Sequence, residues 1–207
     1  KLREMGVPGL MDVIKAIWDN PSNIRFGHRE THGQKEVSKG LAAMSAHYLR
    51  QDKLSQFFVL DFFEAIGHDL KALDIEDFHK IAEQILTQEE DLTIKKKVLK
   101  VLAEGAAYGE DNGNFDSALV AIRNFSQLPE EVRGAVAPAQ FFWGFIGRDN
   151  IELSDIELLA QALGKDSLEI KKTIDFINGL KERGTILGYE GGVLQDYIDL
   201  ANSPDDI

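Results

Sequence analysis

Apolar residues recur at three- and four-residue spacing over most of the chain, the period of amphipathic helices, with short polar or glycine-containing breaks between the runs. Leu10, Val13, Ile14 and Ile17 predict a helix over 9–19, with Pro8 in its first turn and Asn20-Pro21-Ser22-Asn23 as its stop. Residues 1–4 precede Met5 and read as additional to a natural start, and Arg25 to Gly33 reads as a polar connection. Val37, Leu41, Met44 and Tyr48 mark the next helix. Phe57, Phe58, Leu60, Phe62, Phe63 and Ile66 then make 54–70 apolar on more than one face, as in a helix enclosed by others. Asp74 opens a further helix, with Asp77 at capping-box distance and Ile75, Phe78, Ile81, Ala82, Ile85 and Leu86 inward. Over 92–108, Ile94, Val98, Leu99 and Leu102 face inward while Lys95, Lys96, Lys97 and Lys100 face solvent. No alternating run long enough for a strand occurs before residue 150.

After Pro138 the rhythm changes. Gln140 to Gly147 reads as a short aromatic helix carrying Phe141, Phe142, Trp143, Phe145 and Ile146. Asp149-Asn150 breaks it, and Ile151-Glu152-Leu153 suits a single extended rung. Ser154 and Glu157 form a capping box for a helix that buries Ile156, Leu159, Ala160 and Leu163 and ends at Gly164. The turn from Gly164 to Ser167 leads into a longer helix, with Ile170, Ile174, Ile177 and Leu180 inward, which stops at Arg183-Gly184. Thr185 to Tyr189 and Val193 to Gln195 flank the turn Glu190-Gly191-Gly192, the pattern of a short β-hairpin.

The predicted fold class is all-α, a bundle of helical hairpins, with a small C-terminal module containing one short β-hairpin. The expected organisation is a helical domain over 8–135, the module over 138–198 and an acidic tail over 199–207. Within 94–128, Ala103, Ala106, Ala107 and Tyr108, then Gly113 to Leu119, then Phe125 and Leu128-Pro129, resemble one tetratricopeptide-like hairpin. A plain helix-turn-helix hairpin fits the same residues equally well. In the last third, Ser154 to Gly164, the following turn, Leu180 to Ile186 and the hairpin resemble a winged helix-turn-helix domain over about a quarter of the chain. That resemblance implies a compact module that binds either nucleic acid or protein. Helical repeats followed by a winged helix also resemble the PCI arrangement, a scaffold in larger assemblies, with Ile186 to Val193 as the wing.

Charge narrows the choice. The 207 residues include 35 acidic and 23 basic side chains, a net of −12, and no cysteine. A disulfide scaffold, a thiolate zinc site and thiol catalysis are thereby excluded. From Gln140 onward, 13 acidic side chains stand against 6 basic ones, a net of −7. Phosphate backbones are bound largely through lysine and arginine. On the would-be recognition helix Glu169 and Asp175 sit among the outward positions, beside Lys172, Thr173 and Asn178. The cluster Lys171, Lys172, Lys181 and Arg183 therefore reads as a solvated face, and nucleic acid as the alternative partner. No apolar run approaches the roughly 20 residues of a membrane span, and none near the start resembles a signal peptide. The expected address is cytoplasmic, without membrane insertion.

Candidate chemistry is sparse. The five histidines are His28, His32, His47, His68 and His79. His32 and the pair His68-Asp69, with Asp111 or Asp116 as a last ligand, faintly resemble an HD-domain metal-dependent phosphohydrolase. The pair is followed by Leu70-Lys71 without the usual glycine, so helix-end surface residues are the preferred reading. His28 and His32 flank Glu30 in a glycine-rich stretch, and Glu76 to His79 supplies one Glu-x-x-His motif where a di-iron bundle needs two. There is no phosphate loop or nucleophile elbow. No catalytic, cofactor-binding or metal residue is assigned. The 12 phenylalanines suggest surface as well as core, because adjacent aromatics on a helix point about 100° apart. The partner-binding candidates are Phe57, Phe58, Phe62, Phe141, Phe142, Trp143, Glu169, Lys172 and Asp175. The expected role is non-enzymatic: an acidic adaptor, chaperone-like factor or assembly subunit for a basic or amphipathic protein.

Overall fold

The structure, a computed structural model, describes residues 49–50, 53, 56–57, 59–60, 76–107, 115–148, 150–183 and 194–203. The chain divides into two compact units, residues 1–101 and 102–207. Eight helices are bounded among the described residues: α1 (Glu76–Gln88), α2 (Leu92–Ala107), α3 (Phe115–Phe125), α4 (Glu130–Arg133), α5 (Ala139–Trp143), α6 (Leu153–Leu163), α7 (Ser167–Glu182) and α8 (Leu194–Asn202). The described residues contain no strand, so the part of the fold they cover is all-helical. None of these helices is long and apolar enough to cross a membrane.

In the N-terminal unit, Phe78, Ile81, Ala82, Ile85 and Leu86 of α1 are buried as their spacing requires. So are Ile94, Val98 and Leu99 on α2, with Leu49, Val59 and Leu60 from the preceding helical residues. Asp91 starts α2, although the sequence pattern did not single it out. Its Oδ1 accepts from the backbone N–H of Thr93 at 3.0 Å and of Ile94 at 3.4 Å, filling two of the donors a helix start leaves open. Those bonds, with the nearby Lys53 ammonium, hold the Asp91 carboxyl below its usual pKa, while Asp91 and Glu89 raise that of Lys53. The predicted helix over 9–19, that over 37–49 except for Leu49, the cap at Asp74 and the hairpin turn near 113 lie outside the described residues.

In the C-terminal unit, α3 packs on α5 and α6, α6 on α7, and α7 on α8. The α3 side of the expected boundary at 135–138 is thus joined to the helices beyond it. Phe125 meets Phe141 edge-on at 5.6 Å, Phe115 meets Phe145 at 5.0 Å, and Arg123 pairs with the buried Asp155 at 3.0 Å. The turn between α6 and α7 falls where the sequence places it. Gly164 adopts φ 64° at the end of α6, and Lys165 N–H donates to the Ala160 carbonyl at 2.9 Å, closing a Schellman turn. Asp166 then caps α7 by accepting from Leu168 and Glu169 N–H. Ile170, Ile174, Ile177 and Leu180 are buried. Asn178 Oδ1 accepts from Gly147 N–H at 2.7 Å and so ties α7 to the turn after α5.

Three local expectations are corrected. First, α6 starts at Leu153, with Glu152 as an N-cap that makes no side-chain cap bond, so Ser154 is not the cap. This start places Asp155 in the first turn, where its charge suits the helix terminus and its carboxylate reaches Arg123. Second, Ile151 and Glu152 are irregular rather than a strand rung. Third, Leu194 and Gln195 begin a helix instead of a β-run, and that helix continues through Asp199 to Asn202, into the segment expected as tail. Leu194 and Ile198, one turn apart and both buried, give the segment a helical period where it packs on α7. Residues 184–193, where the hairpin turn was expected, lie outside the described residues.

Candidate interaction surface

The nine partner-binding candidates fall into different environments. Phe58 and Phe62 lie outside the described residues. Phe57, in the N-terminal unit, is half-buried with the Lys97 ammonium 5.9 Å from its ring centroid. Phe141 and Phe142 are fully buried, which corrects their assignment to a surface: with Phe145 and Ile146 they belong to the core of the C-terminal unit. Trp143, the next residue round the helix, is half-buried and meets Tyr197 of α8 edge-on, with centroids 5.7 Å apart. The adjacent aromatics therefore do point differently, two into the core and one to its edge.

The charged candidates lie on α7. Lys172 and Asp175 are exposed, and Glu169 is half-buried. Asp175 is engaged by Lys171 at 2.6 Å, one turn away. The backbone carbonyl of Glu169 accepts the Thr173 hydroxyl at 2.9 Å. The first turn of this helix, which a DNA reader would direct at base edges, has Asp166 bonded across its N–H groups and Glu169 within it.

Tyr197 and Leu200 were missed by sequence reasoning. The available signal was the spacing of Leu194, Tyr197, Ile198 and Ala201, which is helical once the segment is not forced into a hairpin. Leu200 is 39 % exposed, and Asp196 and Asp199 beside it are exposed. Two other large apolar side chains are exposed among the described residues: Leu153 at 61 % and Leu168 at 60 %.

Charge is distributed unevenly between the units. Residues 102–207 carry 19 acidic and 8 basic side chains, a net of −11, whereas residues 1–101 carry 16 and 15, a net of −1. Exposed carboxylates occur on α6 (Glu157), α7 (Asp175, Glu182) and α8 (Asp196, Asp199). No group of three or more histidine, aspartate or glutamate side chains among the described residues converges as a metal site would require. His28, His32, His47, His68, Asp69 and Asp111 lie outside those residues; His79 is half-buried beside Phe78, and Asp116 is exposed in the first turn of α3. Comparison with protein-family models, with curated proteins and with solved structures returns no match.

Proposed function

We propose that the chain is a protein-interaction module whose C-terminal unit engages a basic, amphipathic segment of a partner protein. The observation that carries this reading is the concentration of charge: 11 of the 12 net negative charges belong to residues 102–207. A field of that sign raises the encounter rate with a cationic partner and disfavours nucleic acid and anionic lipid. The order α6, Schellman turn, α7 supports assigning a helix-turn-helix core to this unit, in keeping with a winged-helix-like module of the protein-binding kind. An adaptor or assembly subunit in the cytoplasm is the role this reading implies.

The test is fluorescence anisotropy of a labelled amphipathic leucine–lysine peptide titrated with the full chain. A scrambled peptide of equal charge and an arbitrary DNA duplex serve as comparisons. The amphipathic peptide is expected to bind most tightly, to weaken with salt, and to retain part of its affinity at high salt through apolar contact. Equal binding of the scrambled peptide, or tighter binding of the duplex, would overturn the reading.

A further inference from the structure

We propose that the docking site for such a segment is the ridge formed by Trp143, Tyr197 and Leu200, bordered by Asp196 and Asp199. This rests on the reading above and assigns it a place. Of the three leucines exposed among the described residues, Leu200 is the one that shares its helix with Tyr197, whose ring stands edge to face with that of Trp143 on α5 at 5.7 Å, both half-buried. Leu200 lies three residues beyond Tyr197 and four beyond Asp196, so all three are neighbours on the surface of α8. Leu194 and Ile198 face inward, which turns Asp196 and Leu200 directly away from the core. Around the helix the order is Asp199, Asp196, Leu200, Tyr197: a carboxylate edge followed by an apolar edge that continues onto Trp143.

That order specifies the occupant. A tryptophan, a tyrosine and an exposed leucine supply the large, rigid contact area typical of binding hot spots. The two carboxylates beside them select lysine or arginine next to the partner's apolar anchor. A second copy of this chain is disfavoured, because its C-terminal unit would bring the same charge of −11 to the contact. The occupant is therefore a helical or extended protein segment with one apolar stripe and a flanking basic stripe. Leu153, by contrast, stands beside Glu152 and Ser154 at a helix start, and Leu168 beside the ion-paired Lys171 on α7.

The experiment titrates the same labelled peptide with the full chain and with Leu200→Asp, Asp196→Lys, Leu153→Asp and Leu168→Asp. Each substitution is at an exposed position, and circular dichroism with a urea midpoint verifies that the fold persists. Leu200→Asp is expected to weaken binding about tenfold. Asp196→Lys should weaken it at low salt and flatten its salt dependence. Leu153→Asp and Leu168→Asp should leave it unchanged. In a Trp18→Phe background, which leaves Trp143 as the single tryptophan, peptide addition should shift the emission. If the peptide binds the original chain and all four variants alike, the docking ridge is refuted and the broader reading survives. Loss at Leu153 or Leu168 instead moves the site. No preference for the amphipathic peptide by the original chain removes both.

Discussion

Two glycines of the C-terminal unit allow one substitution to be tried in opposite backbone settings. A Cβ added at Gly164 or at Gly179 meets no heavy atom within 4 Å, so alanine clashes at neither site. What differs is conformation. Gly164 sits at φ 64°, ψ 35°, in the left-handed region that closes α6, where an L-residue costs about 1–2 kcal/mol. Gly179 lies inside α7, where glycine is about 0.8–1.0 kcal/mol worse than alanine because the unfolded chain loses more freedom on ordering it. Gly179→Ala should therefore stabilise the unit and Gly164→Ala destabilise it, a separation of about 2–3 kcal/mol from the same added methyl group. The assay is urea unfolding followed by far-ultraviolet circular dichroism. The m-value should be constant across the variants and the midpoint should move in opposite directions. Gly164→Asn should fall between glycine and alanine, since asparagine tolerates the left-handed region better. Shifts of the same sign for both alanine variants would refute the reasoning, because contact effects are equal at the two sites.

Core truncation and acid titration give two further expectations. Phe141→Ala removes a fully buried ring that stacks edge-on against Phe125, and it should cost about 3–5 kcal/mol, a large part of a typical domain's stability; an unchanged urea midpoint would mean that this ring is not core. The Asp91 carboxyl is held below its usual pKa in the folded chain, chiefly by the Thr93 N–H. Its contribution is fully present above the unfolded value of about 4 and is lost as pH falls through the lower folded value. Asp91→Asn keeps a cap while removing this titration, so its urea midpoint should fall less steeply on acidification below about pH 4 than that of the original chain. Parallel profiles would show that Asp91 is not differentially ionised.

The parts of this architecture that could be read in advance are those set by neighbours in sequence. Phe78, Ile81, Ala82, Ile85 and Leu86 are buried on α1, and Ile170, Ile174, Ile177 and Leu180 on α7, because a 3.6-residue period needs no knowledge of what lies opposite. The turn between α6 and α7 was equally visible: Gly164 acts through its own backbone, and the Asp166 side chain through the N–H groups of Leu168 and Glu169, all within one turn. The start of α6 was not visible. Ser154 and Glu157 satisfy the local capping pattern, yet Arg123, far off in sequence, pairs with Asp155 from another helix. The last helix was hidden for a local reason: Leu194-Gln195 taken alone fits a hairpin strand or a helix, and only the spacing through Ile198, buried with Leu194, separates the two.

The proposed docking ridge belongs in part to this second, non-local kind. Three adjacent aromatics, Phe141, Phe142 and Trp143, must point in different directions, but nothing local says which one reaches the edge. Phe125 takes Phe141 into the core, and Tyr197 meets Trp143 from the far end of the chain. Charge was legible in part: the sequence already gives a net of −7 from Gln140 onward, and the unit that begins at Leu102 carries −11 of the total of −12. If the proposed ridge is the docking site, it is sensitive to changes at both of its ends. Removing the Trp143 ring should weaken partner binding even though α8 carries the other contacts, because Tyr197 then loses the aromatic edge against which it stands.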